Sequence, residues 1–81
     1  MITKEQISAL IAAGLNTSHL DVRGDDGSHF EATIVSPEFV GLNMLKQQQL
    51  VYATLGDRFQ TGEIHALALK TYTPDDWPDN E

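Results

Sequence analysis

Two histidines stand where extended chain is about to enter an apolar run. His29 sits in Ser28-His29-Phe30 ahead of Glu31 to Val35, and His65 sits in Glu63-Ile64-His65 ahead of Ala66 to Leu69. An imidazole can hold a transition metal as a neutral ligand or move a proton near neutral pH. The chain contains no cysteine, which excludes disulfides, thiolate nucleophiles and cysteinyl ligands. A metal or cluster would therefore be held by His, Asp or Glu, or by a partner's sulfurs. The plain alternative for a histidine in an apolar strand is a packed ring with its nitrogens hydrogen-bonded.

Other chemistries find less support. Asp25-Asp26 falls in turn-forming sequence and Asp75-Asp76 at a helix start, two places that favour aspartate for structural reasons. Gly24 to Gly27 lacks the spacing and the following helix of a phosphate loop. Ser28 beside His29 is no hydrolase signature, because neighbouring strand residues diverge and no orienting acid is specified. The reading is of a protein that binds, not of an enzyme.

Composition bounds the scaffold. The 81 residues suit one domain over 1–81, with 78–81 read as a frayed tail, and with 41% hydrophobic and 21% charged residues the chain is expected to be globular. No apolar run approaches the ~18 residues that span a bilayer, and Met1 to Ser8 lacks a signal-peptide layout. A cytoplasmic protein without membrane contact is expected. A net charge of −7 opposes unspecific binding to phosphate backbones unless the five basic residues cluster.

Certain elements must position the histidines. Thr3-Lys4-Glu5-Gln6 reads as a capping box ahead of Ile7, Leu10 and Ile11, which predicts a helix over Lys4 to Ala13. His19 to Arg23 and Phe30 to Val35 alternate as strands around the turn chemistry of Gly24 to Ser28, and Ser36-Pro37 ends the second. From Asn43 onward Met44, Val51, Leu55 and Phe59 recur with helical period, joined by Leu45 and Tyr52, and Gly62 is a natural C-terminal cap. Gly56 weakens that helix by about 1 kcal/mol of propensity. A third strand covers Ile64 to Thr71, and Thr73-Pro74-Asp75-Asp76 starts a short terminal helical turn carrying Trp77. Trp77 packs that turn against the domain or belongs to a partner surface.

The predicted fold is α+β, in the order α-β-β-α-β-α, with a three-stranded mixed sheet and helices on one side. The helical connection between the second and third strands makes a right-handed crossover, so those strands run parallel if they are neighbours. Parallel neighbours begin at one edge, which brings His29 and His65 to a shared rim with strands ~4.8 Å apart. If Phe30, Ala32 and Ile34 face the helices, His29 formally points the other way. For the third strand either Leu67 and Leu69, or Ile64, Ala66 and Ala68, could face the helices.

Several stretches together resemble one family: Asp26-Gly27-Ser28-His29-Phe30, then VSPEFVG (35–41), QQLVYATLGD (48–57) and IHALALKTYTPDDW (64–77). They are similar to the BolA family, close to its acidic, IbaG-like bacterial branch, over His19 to Trp77. The resemblance implies a fold similar to class II K-homology domains. It also implies partnership with a monothiol glutaredoxin, in a heterodimer that holds a bridging 2Fe-2S cluster and serves iron-sulfur cluster trafficking and iron homeostasis. Glutaredoxin and glutathione supply the thiolates there. The BolA partner supplies the histidine matched by His65 and a second ligand from the loop before strand two, matched here by His29. His19 reads as a surface residue.

The family resemblance also offers a second role, as a nucleic-acid-binding transcriptional regulator of stress response. Its segment corresponds to Phe39 to Leu50, and the candidate residues are Gly41, Lys46, Gln47, Gln48 and Gln49. Where relatives carry arginines this chain has three glutamines, which release no counterions, so DNA affinity is expected to be weak. Gln47 to Gln49 otherwise read as a solvated helix face. Lys46, Arg58 and Lys70 are the cations that could gather around Gly41.

Overall fold

The computed structural model describes residues 2–24 and 29–77. Helix α1 spans Lys4–Gly14, one residue beyond the expected end. Its capping box forms: the Gln6 amide donates to Thr3 Oγ1 (3.1 Å), and the Thr3 amide donates to Gln6 Oε1 (2.9 Å). Two helix-terminal N–H groups are thereby satisfied. Ile2 and Ile7 stand at the positions of a hydrophobic staple, and both are buried in the core with Ile11 and Leu15.

Strand β1 is His19–Arg23 and β2 is His29–Val35, antiparallel with His19 opposite Val35 and Arg23 opposite Glu31. The centre of the predicted connecting turn, residues 25–28, lies outside the described residues. Strand β3, Ala66–Tyr72, pairs parallel to β2, from His29 opposite Ala66 to Val35 opposite Tyr72. The sheet order is β1-β2-β3, the neighbour relation expected of the crossover. Phe30, Ala32 and Ile34 of β2 are buried. On β3 the core-facing set is Leu67, Leu69 and Thr71, while Ala66, Ala68 and Lys70 lie on the open face. Ile64, read as the first residue of this strand, is buried but precedes the ladder, its amide donating to the Arg58 carbonyl (3.1 Å).

A 3-10 turn, Pro37–Phe39, follows β2 and buries Phe39. Ser36 ties it in: its hydroxyl donates to the Asn16 carbonyl and accepts from the Glu38 amide, and its amide donates to the Tyr72 carbonyl. Helix α2 is Met44–Thr54, capped by Asn43, whose side chain accepts from the Lys46 amide. It is shorter than the periodicity predicts. Gly56 takes φ +63, a left-handed conformation open to glycine, and ends the helix after Leu55, so Gly62 (φ +83) shapes the following turn and not the cap.

The buried stripe of α2 also differs from the expectation. Gln47, Val51 and Leu55 face inward at i, i+4 and i+8, whereas Met44, Leu45 and Tyr52 are exposed. The predicted terminal helix is a turn among the described residues: the Asp76 and Trp77 amides both donate to the Thr73 carbonyl (3.1 Å). That turn carries Trp77 onto the open face of the sheet, where its ring stacks on His19 (centroids 4.9 Å, 26° between planes) and tilts against Tyr72 (5.1 Å). His19 is thus an exposed residue, as read, but one with an aromatic partner.

Candidate metal-ligand rim

The parallel pairing sets the geometry of the rim. His29 is the first residue of β2 and stands opposite Ala66, the first residue of β3; His65 immediately precedes Ala66. With a strand spacing of ~4.8 Å and a rise of ~3.3 Å per residue, the two histidine backbones lie about 6 Å apart. Both residues are exposed. By alternation His29 belongs to the open face with Glu31 and Thr33, and His65 to the opposite parity with Leu67 and Leu69. His65 lies outside the ladder, however, so the pleat does not dictate its direction. The rim is shared even though the strand faces are not.

The neighbours of the rim are small. Ala66 and Ala68 carry one methyl group each on the open face, and both are exposed. Gly24 closes β1 so near to β2 that a Cβ there would stand 2.5 Å from the Phe30 ring and 2.8 Å from the His29 carbonyl oxygen. Only a residue without a side chain lets the two strands approach this way beside His29. The sequence marks Gly24 as turn chemistry, and its packing role shows only once Phe30 is placed. Among the described residues His65 makes no side-chain hydrogen bond or ion pair, and no three His, Asp or Glu side chains converge as a metal site. Two imidazoles at one rim can offer two nitrogen ligands. The remaining positions of a cluster would then be filled from another molecule.

Away from the rim the open face is salt-bridged. Lys70 Nζ lies 3.0 Å from Glu31 Oε2, and Arg23 Nε 2.8 Å from Asp21 Oδ2. The hydrogen bond that Lys70 donates to Glu31, and then the Glu31 charge, hold the Lys70 ammonium above the ordinary lysine value; Asp21 does the same for Arg23.

The candidate nucleic-acid segment turns out differently from its reading. Gln47 is buried, not part of a solvated face: its amide donates to the carbonyls of Leu42 (2.9 Å) and Phe39 (3.5 Å), and its oxygen accepts from the Thr71 hydroxyl (2.7 Å). It locks α2 to the preceding turn and to β3, so it is unavailable to bases or phosphates. Gly41, with φ +82, and Lys46 and Gln49 are exposed, and Gln48 is half-buried. No basic patch assembles around Gly41. Lys70 sits on the open sheet face with Glu31, and Arg58 lies beyond the far end of α2, 3.6 Å from Glu63. Only Lys46 remains near Gly41.

A family model described as BolA-like protein matches residues 5–76. The acid stress protein IbaG of Escherichia coli K12 is 36% identical, over 89% of this chain and 84% of its own. A solved BolA homologue from Coxiella burnetii superposes with TM-score 0.78 at 46% identity, covering 93% of this chain and 95% of that one. The BolA domain of SufE1 from Arabidopsis thaliana superposes with TM-score 0.80 at 29% identity, covering 91% and 94%. No described helix is long and apolar enough to cross a membrane. With its α+β order, its parallel β2-β3 pair and this match over nearly all of its length, the chain belongs to the BolA family.

Proposed function

We propose that this chain is a cytoplasmic, non-enzymatic partner of a monothiol glutaredoxin, and that the pair holds a bridging 2Fe-2S cluster in iron-sulfur cluster trafficking and iron homeostasis. His65 and His29 are the ligands this chain contributes; thiolates come from glutaredoxin and glutathione. The observation that carries the reading is the β2-β3 register, which sets His29 opposite Ala66 and so brings two exposed histidines to one rim. Ala66, Ala68 and Gly24 keep bulk away from that rim. The occurrence of a BolA domain within SufE1 is a further hint toward iron-sulfur biology.

Imidazole ligation at one iron raises a cluster's potential relative to all-thiolate ligation. Because a coordinating imidazole must be deprotonated, acid competes with the metal for these ligands. Binding is therefore expected to weaken as pH falls, and no residue of this chain is asked to perform a reaction. A regulator acting through DNA gains no support from α2, where Gln47 is internal and a single exposed lysine remains near Gly41.

The test is anaerobic reconstitution of the protein with a monothiol glutaredoxin, glutathione, iron and sulfide, followed by visible absorption and circular dichroism. His65→Ala is expected to abolish or greatly weaken the mixed-cluster spectrum while keeping the far-ultraviolet signal of the fold. His29→Ala is expected to weaken or alter the spectrum without separating the two proteins. An unchanged visible spectrum in His65→Ala would refute the ligand assignment.

A further inference from the structure

Met44 is the first residue of α2, and it is both open to solvent and engaged inward. It is 55% exposed. Its sulfur also lies 3.2 Å from the hydroxyl of Thr71, a residue buried on the core side of β3. The same hydroxyl lies 2.7 Å from Gln47 Oε1. Thr71 thus has one proton and two acceptors within reach, and the amide oxygen takes it because a thioether is a weak acceptor. Gln47 in turn donates to the carbonyls of Leu42 and Phe39, so this one proton completes the junction of α2, the preceding turn and β3.

Sulfur in this chain is confined to thioethers. There is no cysteine, and the second methionine, Met1, lies outside the described residues. A peroxide therefore meets no thiol that would consume it first, and an exposed thioether is its sulfur target. The sulfur lone pair attacks one oxygen of hydrogen peroxide. The O–O bond breaks as the S–O bond forms, and the departing hydroxide takes up the proton of the transferred oxygen and leaves as water. Sulfur loses two electrons and the peroxide gains them. The product is a sulfoxide, polar where the thioether is apolar, whose oxygen accepts a hydrogen bond far better than the sulfur did.

We propose that Met44 is a site of reversible oxidation by hydrogen peroxide, and that its sulfoxide weakens the Gln47-Thr71 junction by competing for the Thr71 proton. A sulfoxide that takes that proton leaves Gln47 Oε1 buried without its donor, and an unsatisfied buried acceptor is destabilising. The start of α2 is thereby loosened from β3. The site is remote from the histidine rim: Thr71 stands opposite Ile34 near the end of the parallel ladder, whereas the rim lies at its start. The effect is therefore a property of this chain alone, with no glutaredoxin or cluster required.

The experiment treats the full chain with hydrogen peroxide, locates the added oxygen by peptide mass spectrometry, and follows urea unfolding before and after in wild type, Met44→Leu and Thr71→Val. Met44 should be oxidised at a rate comparable to that of free methionine. The folding equilibrium constant of the wild type should then fall by about three- to tenfold, the size of one hydrogen bond, and recover on treatment with methionine sulfoxide reductases of both epimer specificities. Met44→Leu, which still carries Met1, should be unaffected by peroxide. In Thr71→Val the loss should shrink to less than about twofold, because no proton is left to compete for. A general cost of placing a polar group at the helix start would persist there undiminished. A Met44 that resists peroxide overturns the proposal, and so does an oxidised wild type as stable as the untreated one. A loss of equal size in wild type and Thr71→Val, or one that also appears in Met44→Leu, overturns it as well. Should Thr71→Val not fold, hydrogen exchange of the Gln47 side-chain amide in the wild type decides: oxidation should accelerate it, and an unchanged rate contradicts the proposal.

Discussion

The two ends of the parallel β2-β3 pair use their polar residues in opposite ways. Where the strands finish, polar groups are consumed internally: Ser36 joins the chain after α1 to the 3-10 turn and β3, and Gln47 and Thr71 join α2 to β3. Where the strands begin, two imidazoles are exposed beside alanines and a tightly packed glycine. A polar side chain that is buried and fully partnered explains stability; one that is exposed at the mouth of a strand is within reach of an external ligand. The same contrast separates the buried Gln47 from the exposed Lys46 and Gln49 of α2.

The sharpest way to break this contrast is at the closed end. Gln47→Ala leaves the Leu42 carbonyl without its partner and the Thr71 hydroxyl with only the weak Met44 sulfur acceptor (3.2 Å), and urea unfolding should show a loss of about 3 kcal/mol. A loss below about 1 kcal/mol would mean the network is not the lock described here. Gly24→Ala is next, because it forces a methyl group against the Phe30 ring and the His29 carbonyl. It should cost about 1–3 kcal/mol and also perturb the visible dichroism of the mixed cluster, because the crowding falls beside His29. Ser36→Ala should cost about 1–2 kcal/mol and leave the cluster spectrum as it is.

At the open end the order reverses. His65→Ala should change stability by no more than about 0.5 kcal/mol, as for other exposed positions, while cluster formation is lost. A large loss of folded protein would show that the ring belongs to the core. The smallest effect is expected from the Lys70-Glu31 pair on the open face, since Lys70→Met should leave the melting temperature essentially unmoved. Its raised lysine makes the sign of any pH dependence definite. Whatever stability the pair adds is complete below the ordinary lysine value of 10.5 and is lost as pH rises through the elevated one.

Local signals were legible where a residue and its partner are close in sequence. The Thr3-Gln6 capping box, the period-two strands and the Ser36-Pro37 stop each involve neighbours, and the crossover rule then brought both histidine strands to one rim. Long-range satisfaction was not legible. Gln47 finds Thr71 twenty-four residues away, so helical period alone favoured Met44 for the inner face. In β3 alanine alternates with leucine, and both are apolar, so only packing against α1 and α2 decides which set is inside. The end of α2 turned on whether Gly56 continues the helix at a modest cost or leaves it with positive φ, and the chain beyond it settles that choice.

The most direct measurement of the central claim is pulsed electron paramagnetic resonance on the reduced mixed cluster, prepared with ¹⁵N-histidine in this chain alone. Strong nitrogen couplings that change isotope with the label are the result this account predicts. A reduced cluster that shows no histidine nitrogen coupling from this chain would contradict it.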